Sequence, residues 1–312
     1  ETRGVPLKIE EDGRVFPVSN SSQTIIDCFL EEIKIHHIEV LLNHSVQGIR
    51  YKNEAWELDT TKGVFTTPKL LIATGSNPKI WKLLEHIGHH VVPPVPSLFT
   101  FNINDSRLKT IPGVVALDVH ISVVNSSLES EGPLLVTHTG LSAPSILKLS
   151  AYGALELAER EYRFQIKVNF IKQEFSECLE RLLEIKTALP RKTILKSSQF
   201  ELPKRLWEQL VMASKIPMDL RWAEVNKLQL QALASQLTEA VFSVDGKSTF
   251  KEEFVTAGGV ELKEVNFKTF ESKHLKNLFF AGEVLNVDAV TGGFNFQNAW
   301  TSAFIAAQQL SK

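Results

Sequence analysis

The chain has 312 residues, 43% hydrophobic and 22% charged, with 34 basic against 36 acidic side chains. This is the balance of an ordinary globular protein and excludes a disordered or collagen-like chain, while a net charge of −2 provides no global field for nucleic acid or anionic lipid. Cys28 and Cys178 lie far apart with no C-x-x-C spacing, which argues against a disulfide framework or a zinc site, and no apolar run approaches the roughly 20 residues of a membrane span.

In chain order, the polar start Glu1 to Glu11 is unlike a signal peptide and opens without Met, so an upstream segment and a reducing cytoplasmic location are expected. Arg14 to Ser22 is extended and ends at a helix start, with Asn20 as N-cap and Gln23 as its capping-box partner. Ile25, Ile26, Phe29, Leu30 and Ile33 then recur at helical spacing. Short strands follow at Ile38 to Leu42, Val46 to Tyr51, Ala55 to Asp59 and Gly63 to Thr66, then a continuous apolar strand from Lys69 to Thr74.

Three prolines between Val91 and Pro96 mark a crossover out of this α/β segment. Val114 to Val124, Leu134 to Thr137 and Tyr162 to Phe170 form β segments, and the period turns helical from Gln173 to Leu237. Strands return at Ala240 to Val244 and Glu253 to Val255, and the last, Asn277 to Ala281, leads through a loop into a helix from Phe294 to Leu310. The expected fold class is α/β: an incomplete Rossmann-like domain (1–90 and 266–312) interrupted by a β-rich insert (91–170, returning at 240–265) and a helical subdomain (171–239). Neither α/β piece has enough strands to close a sheet alone, so the two are expected to meet.

Chemistry concentrates at three glycine-bearing strand ends. The first is Phe280-Ala281-Gly282-Glu283, continued by Thr291-Gly292-Gly293-Phe294-Asn295, where paired glycines open a helix whose free N–H groups favour an electron-rich ligand edge. The same residues also fit a glycine-rich turn before a surface helix. The second, Ala73-Thr74-Gly75, closes a buried strand where open α/β sheets collect ligands, and equally fits a tight turn. The third, Thr256-Ala257-Gly258-Gly259-Val260, also fits a glycine bulge.

As a set, with Gly13 to Ser19 and Thr137-His138-Thr139-Gly140-Leu141-Ser142, these segments resemble the HI0933-like flavoproteins, also called BaiN-type or aminoacetone-oxidase-like FAD-binding oxidoreductases. The resemblance implies FAD as cofactor, NAD(P)H as electron donor, and hydride transfer to a conjugated C=C or C=N bond. It implies flavin contacts from Gly282, Glu283, Gly292, Gly293, Phe294 and Asn295, with Thr74, Gly75 and Val46 toward the remaining part of the cofactor. The family's Ser-Gly-Pro is replaced here by Ser142-Ala143-Pro144, a departure at a position where the family carries no Cβ. None of the sixteen glycines gives the G-x-G-x-x-G spacing that opens such proteins. A fragment is therefore expected, its partner being the N-terminal segment of the same protein, and the chain alone is expected to hold FAD poorly.

His138, in a loop between β segments, is the candidate proton donor, since imidazole titrates near neutrality; a loop-stabilising hydrogen bond is its other reading. Ser142 has no visible His-Asp relay, which argues against nucleophilic hydrolysis. Trp207 and Trp222 are expected in the core, and His36-His37 and His89-His90 lack metal-ligand partners. Between Arg163 and Lys215 stand eleven Lys or Arg and six Asp or Glu, the pattern of a solvated helical face or of a surface receiving an RNA substrate. A non-catalytic remnant acting as a binding module is the reading from another class.

Overall fold

The computed structural model describes residues 1–248, 255–290 and 292–312. Contacts divide the chain into two compact units, one of Glu1–Val92, Gly259–Val287 and Thr291–Lys312, the other of Pro93–Gly258 and Asp288–Val290.

The first unit begins with the hairpin β1 (Leu7–Ile9) and β2 (Val15–Pro17), then helix α1 (Ser22–Ile35). Its cap is Ser21, whose hydroxyl accepts from Gln23 N–H; the expected cap, Asn20, instead takes a left-handed φ of 53° in the turn before it. Ile26, Phe29 and Leu30 of α1 are about half exposed, and the helix buries none of its residues. No strand forms at Ile38–Leu42: this apolar run is an exposed connection, because its backbone finds no ladder partner.

β3 (Val46–Lys52), β4 (Ala55–Thr60) and β5 (Gly63–Thr67) form an antiparallel meander, as their alternation predicts. β6 (Leu70–Ile72) follows, then α2 (Pro78–His86), with Asn77 as N-cap and Pro78 in the first turn, both favoured there. β7 (Val91–Ser97) is a strand despite its three prolines. It pairs only with a strand introduced below, and prolines are tolerated on an edge whose N–H groups are not needed.

In the second unit, β8 (Thr100–Asn102), α3 (Ser106–Lys109), β9 (Val115–Val123), β10 (Glu129–Val136) and β11 (Gly140–Ser142) precede helices α4 (Pro144–Tyr152) and α5 (Ala154–Glu159), which the β reading of this stretch missed. β12 (Arg163–Asn169), α6 (Phe175–Ala188), α7 (Lys204–Ala213), α8 (Lys227–Thr238), β13 (Ala240–Asp245) and β14 (Lys247–Ser248) complete it. Seven antiparallel strands run in the order β13-β12-β9-β10-β11-β8-β14. One apolar cluster fills this unit from Phe101 and Ile121 of the sheet to Cys178, Trp207 and Leu233 of the helices, so sheet and helices share a core. Burial there pushes the Cys178 thiol up to about 12, leaving it an inert core residue.

β15 (Val255–Val260) pairs with β7, and the chain returns to the first unit at Gly259. Of the strand expected at Glu253 to Val255, Glu253 and Phe254 lie outside the described residues. β16 (Val265–Asn266), β17 (Glu271–Ser272) and β18 (Leu278–Phe280) lead to α9 (Phe294–Leu310), whose limits coincide with those read from its periodicity. The two α/β pieces meet here: β18 pairs in parallel with β6 inside a sheet of order β16-β17-β18-β6. Trp56, Trp81, Leu84 and Phe280 fill the core of this unit. Among the described residues, no helix is long and apolar enough to cross a membrane.

Candidate functional site

The site is built from the parallel pair β6 and β18. Leu70 lies opposite Leu278 and Ile72 opposite Phe280, and the amide of Ala281 continues the ladder to the Ile72 carbonyl over 3.0 Å. Both strands thus end at one level. The turns Ala73–Ser76 and Ala281–Glu283 leave the sheet side by side, at the carboxyl ends where open α/β sheets collect ligands.

Three further contacts fix these turns. Trp81 of α2, nearly fully buried, donates its indole N–H to the Val284 carbonyl at 2.9 Å, tying the helix after the first turn to the second. Ser76 Oγ donates to Glu283 Oε2 at 3.5 Å. Gly282 holds a φ of +73°, a left-handed conformation open to glycine, and its N–H donates to Ser302 Oγ of α9 at 3.0 Å. Ser302 is fully buried, and its hydroxyl donates onward to the Asn298 carbonyl at 2.6 Å.

Helix α9 starts at Gly293, with φ of +90°, and among the described residues no side chain caps this end. The positive end of this 17-residue helix favours an electron-rich ligand edge. One turn inside, Asn298 Nδ2 is buried without a hydrogen-bond partner among the described residues. A buried amide donor left in this state is rare, and a carbonyl acceptor on a ligand would satisfy it. A Cβ on Gly292 would meet the Phe294 ring at 3.2 Å, whereas one on Gly293 would meet nothing within 4 Å. The glycine-opened helix end and the orphaned Asn298 donor suit a flavin's carbonyl-rich edge; the residues fit FAD.

Of the residues singled out in the sequence, Thr74, Gly75, Gly282 and Glu283 are gathered at the paired strand ends. Gly292, Gly293, Phe294 and Asn295 open the helix that Gly282 grips. Thr291 lies outside the described residues. Val46 begins β3 and its partly buried side chain packs on the core of this unit. Sequence reasoning missed Trp81, Asn298 and Ser302. Asn298 carries no distinctive signal, since Asn295, Gln297, Thr301 and Ser302 of the same helix are polar as well.

His138 belongs to the other unit. It is exposed at the tip of the turn between β10 and β11, where Thr137 Oγ1 accepts the N–H groups of Thr139 and Gly140 at 3.3 and 3.1 Å. With Asn102, Lys109, Thr139 and Asp245 it lines a cleft of about 370 Å³. Nearby, Ala143 holds φ 85° and ψ 175°, so alanine occupies a glycine conformation where the family pattern has glycine.

Comparison with known proteins places the chain in a family. The HI0933-like protein Rossmann domain family matches residues 1–309. The chain is 30% identical to a ribosomal RNA dihydrouridine synthase of Escherichia coli, over 96% of this chain and 74% of that protein. It is 27% identical to the enzyme of the same name from Haemophilus influenzae, over 99% of this chain and 78% of that protein. A 3-dehydro-bile acid delta(4,6)-reductase of Clostridium scindens is 21% identical, over 95% of this chain and 75% of that protein. Matched from end to end by the family's domain and carrying a strand-end and helix-end cradle suited to a flavin, the chain belongs to the HI0933-like family of FAD-binding oxidoreductases.

Proposed function

We propose that the protein reduces a conjugated C=C bond with electrons from NAD(P)H, and that the substrate is a uracil base in RNA. The observation carrying the reaction class is the junction of the β6 and β18 ends with the glycine-opened end of α9. FAD, when bound, supplies two-electron hydride chemistry. The chain's own residues do the rest. The dipole of α9 and the Asn298 amide stabilise negative charge on an acceptor edge, and Glu283 accepts hydrogen bonds from hydroxyl groups. His138 donates the proton that accompanies the hydride, so that a C=C bond gains two hydrogens and NAD(P)H becomes NAD(P)⁺.

Two observations support RNA as the substrate: two relatives at 30% and 27% identity carry the name ribosomal RNA dihydrouridine synthase, and the helical segment is locally basic. Reduction of a small-molecule enone or imine is the second reading, supported by the bile-acid reductase at 21% identity. The test is incubation of the protein, FAD and NADPH with ribosomal RNA lacking dihydrouridine, followed by nucleoside mass spectrometry. Dihydrouridine dependent on both cofactors is expected, and His138→Gln should slow its formation by on the order of a hundredfold while leaving flavin reduction by NADPH unchanged. NADPH oxidation by enones with no change in RNA would overturn the RNA substrate. No turnover of either would overturn the reaction.

A further inference from the structure

The excess of basic residues in the helical segment is concentrated in one stretch. From Pro190 to Arg205 there are five cations, Arg191, Lys192, Lys196, Lys204 and Arg205, against a single acid, Glu201. Some cations elsewhere in this unit are neutralised by carboxylates, as Lys172 is by Glu131 at 2.7 Å and Asp118 at 3.1 Å, Arg181 by Glu184 at 2.7 Å, and Arg163 by Asp245 at 3.3 Å. Within the stretch only Lys204 has an acidic neighbour, Glu208 at 4.0 Å. Among the described residues Arg191, Lys192, Lys196 and Arg205 make no ion pair, and all four are exposed.

The backbone carrying them is held firmly. Trp207 and Trp222 are fully buried; the first donates its indole N–H to the Ile194 carbonyl at 2.9 Å, the second to Ser197 Oγ at 2.8 Å. The Trp222 amide also bonds the Lys192 carbonyl at 3.0 Å. The segment is thus fixed at its backbone, while among the described residues the side chains of Arg191, Lys192 and Lys196 make no ion pair. The guanidinium of Arg205 donates to the Thr110 carbonyl at 2.6 Å, bringing the start of α7 against the end of α3. There Lys109 lines the cleft that holds His138, and its acidic neighbour Asp105 is already taken by Arg107 at 2.7 Å.

Rooted cations with one carboxylate partner among them, running from a loop through a helix start toward a cleft, suit the repeating charge of a phosphodiester backbone. No exposed aromatic lies in the stretch: Phe200 is packed against the core, so recognition there falls on phosphates and not on stacked bases. We infer that Arg191, Lys192, Lys196, Lys204, Arg205 and Lys109 form a track for the RNA backbone that leads a strand to the His138 cleft, an inference that rests on the RNA reading above.

The test compares the wild-type chain with the quadruple variant Lys192→Glu, Lys196→Glu, Lys204→Glu and Arg205→Glu, using fluorescence anisotropy of a labelled single-stranded oligouridylate over a salt series. A control carries Lys34→Glu, Lys52→Glu, Lys62→Glu and Lys82→Glu, exposed residues of the other unit with the same change in net charge. At about 0.7 counterions released per phosphate contact on a single strand, the log–log salt slope of the quadruple variant should be shallower by about 3, with affinity at low salt down on the order of a hundredfold. The control should bind within about threefold of wild type at physiological salt. Circular dichroism and thermal melting, unchanged in both variants, establish folding; should the quadruple variant fail to fold, Lys192→Gln with Lys196→Gln should still make the slope shallower by about 1.4. Wild-type protein that binds no RNA refutes the RNA reading and the track with it. RNA binding that the variant retains refutes the track alone, as does loss confined to phosphatidylserine vesicles with RNA affinity unmoved.

Discussion

The amide of Gly282 donates to Ser302 Oγ across 3.0 Å, and this one bond joins the turn after β18 to the interior of α9. Because Ser302 is fully buried, no water replaces the hydroxyl when it is removed. Ser302→Ala is expected to cost about 1–3 kcal/mol of stability by leaving the Gly282 N–H unsatisfied. Denaturant unfolding measures it. A loss below the error of that measurement would show that the turn and helix are held by other contacts.

Asn298 separates a ligand-binding role from a structural one. Its Nδ2 has no partner among the described residues, so Asn298→Ala leaves stability unchanged or slightly raised. Flavin affinity, read by fluorescence quenching, should fall about tenfold, the worth of one hydrogen bond. Equal loss of stability and affinity would assign Asn298 to the fold instead.

Ala143 sits at φ 85° and ψ 175°, a region that L side chains enter only with strain. Ala143→Gly relieves that strain at the start of α4, offset by the greater freedom of glycine in the unfolded chain. A net stabilisation of about 1 kcal/mol is expected in thermal or denaturant melts. A destabilised variant would contradict the strained geometry.

His89 is a pH-dependent element of the first unit. Burial lowers its pKa below the ordinary histidine value, against the opposing pull of Glu264. Its side chain is fully buried, with Nδ1–H donating to Glu264 Oε2 at 2.8 Å and Nε2 accepting from Ser272 Oγ at 3.1 Å. Ser272 Oγ already accepts the N–H groups of His274 and Leu275, so a proton on Nε2 would find no acceptor there. In the unfolded chain His89 takes up a proton near pH 6.5. The unfolded state therefore binds more protons, and stability falls as pH drops below about 6.5 until the lowered native value is passed. The melting temperature should decline from pH 7.5 to 5.5, and His89→Gln should flatten that decline. An unchanged slope in the variant would place the titrating group elsewhere.

Much of this was legible in the sequence where a long period or a strong turn signal acted alone. The limits of α9, the β3–β5 meander and the existence of the strands before Gly75 and Gly282 are set by local pattern, although those strands are shorter than read, ending at Ile72 and Phe280. What escaped depends on partners distant in sequence. Ile38–Leu42 has strand composition but no neighbour to pair with, whereas β7 is a strand despite Pro93, Pro94 and Pro96 because β15 lies along one edge. Trp81 and Ser302 carry no local mark of their roles: each acts through a bond to a residue at least 20 positions away. Asn20 and Ser21 are equally good caps by residue type, and only the backbone angles chose between them.

The central claim is that the ends of β6 and β18 and the opening of α9 together hold a flavin, and backbone amide NMR of the chain titrated with FAD tests it most directly, since weak binding still moves resonances. The account predicts shifts concentrated at Thr74, Gly75, Gly282, Glu283 and Gly292 to Asn298, reduced by Asn298→Ala. Saturable shifts elsewhere, with the first turn of α9 unmoved, would contradict it.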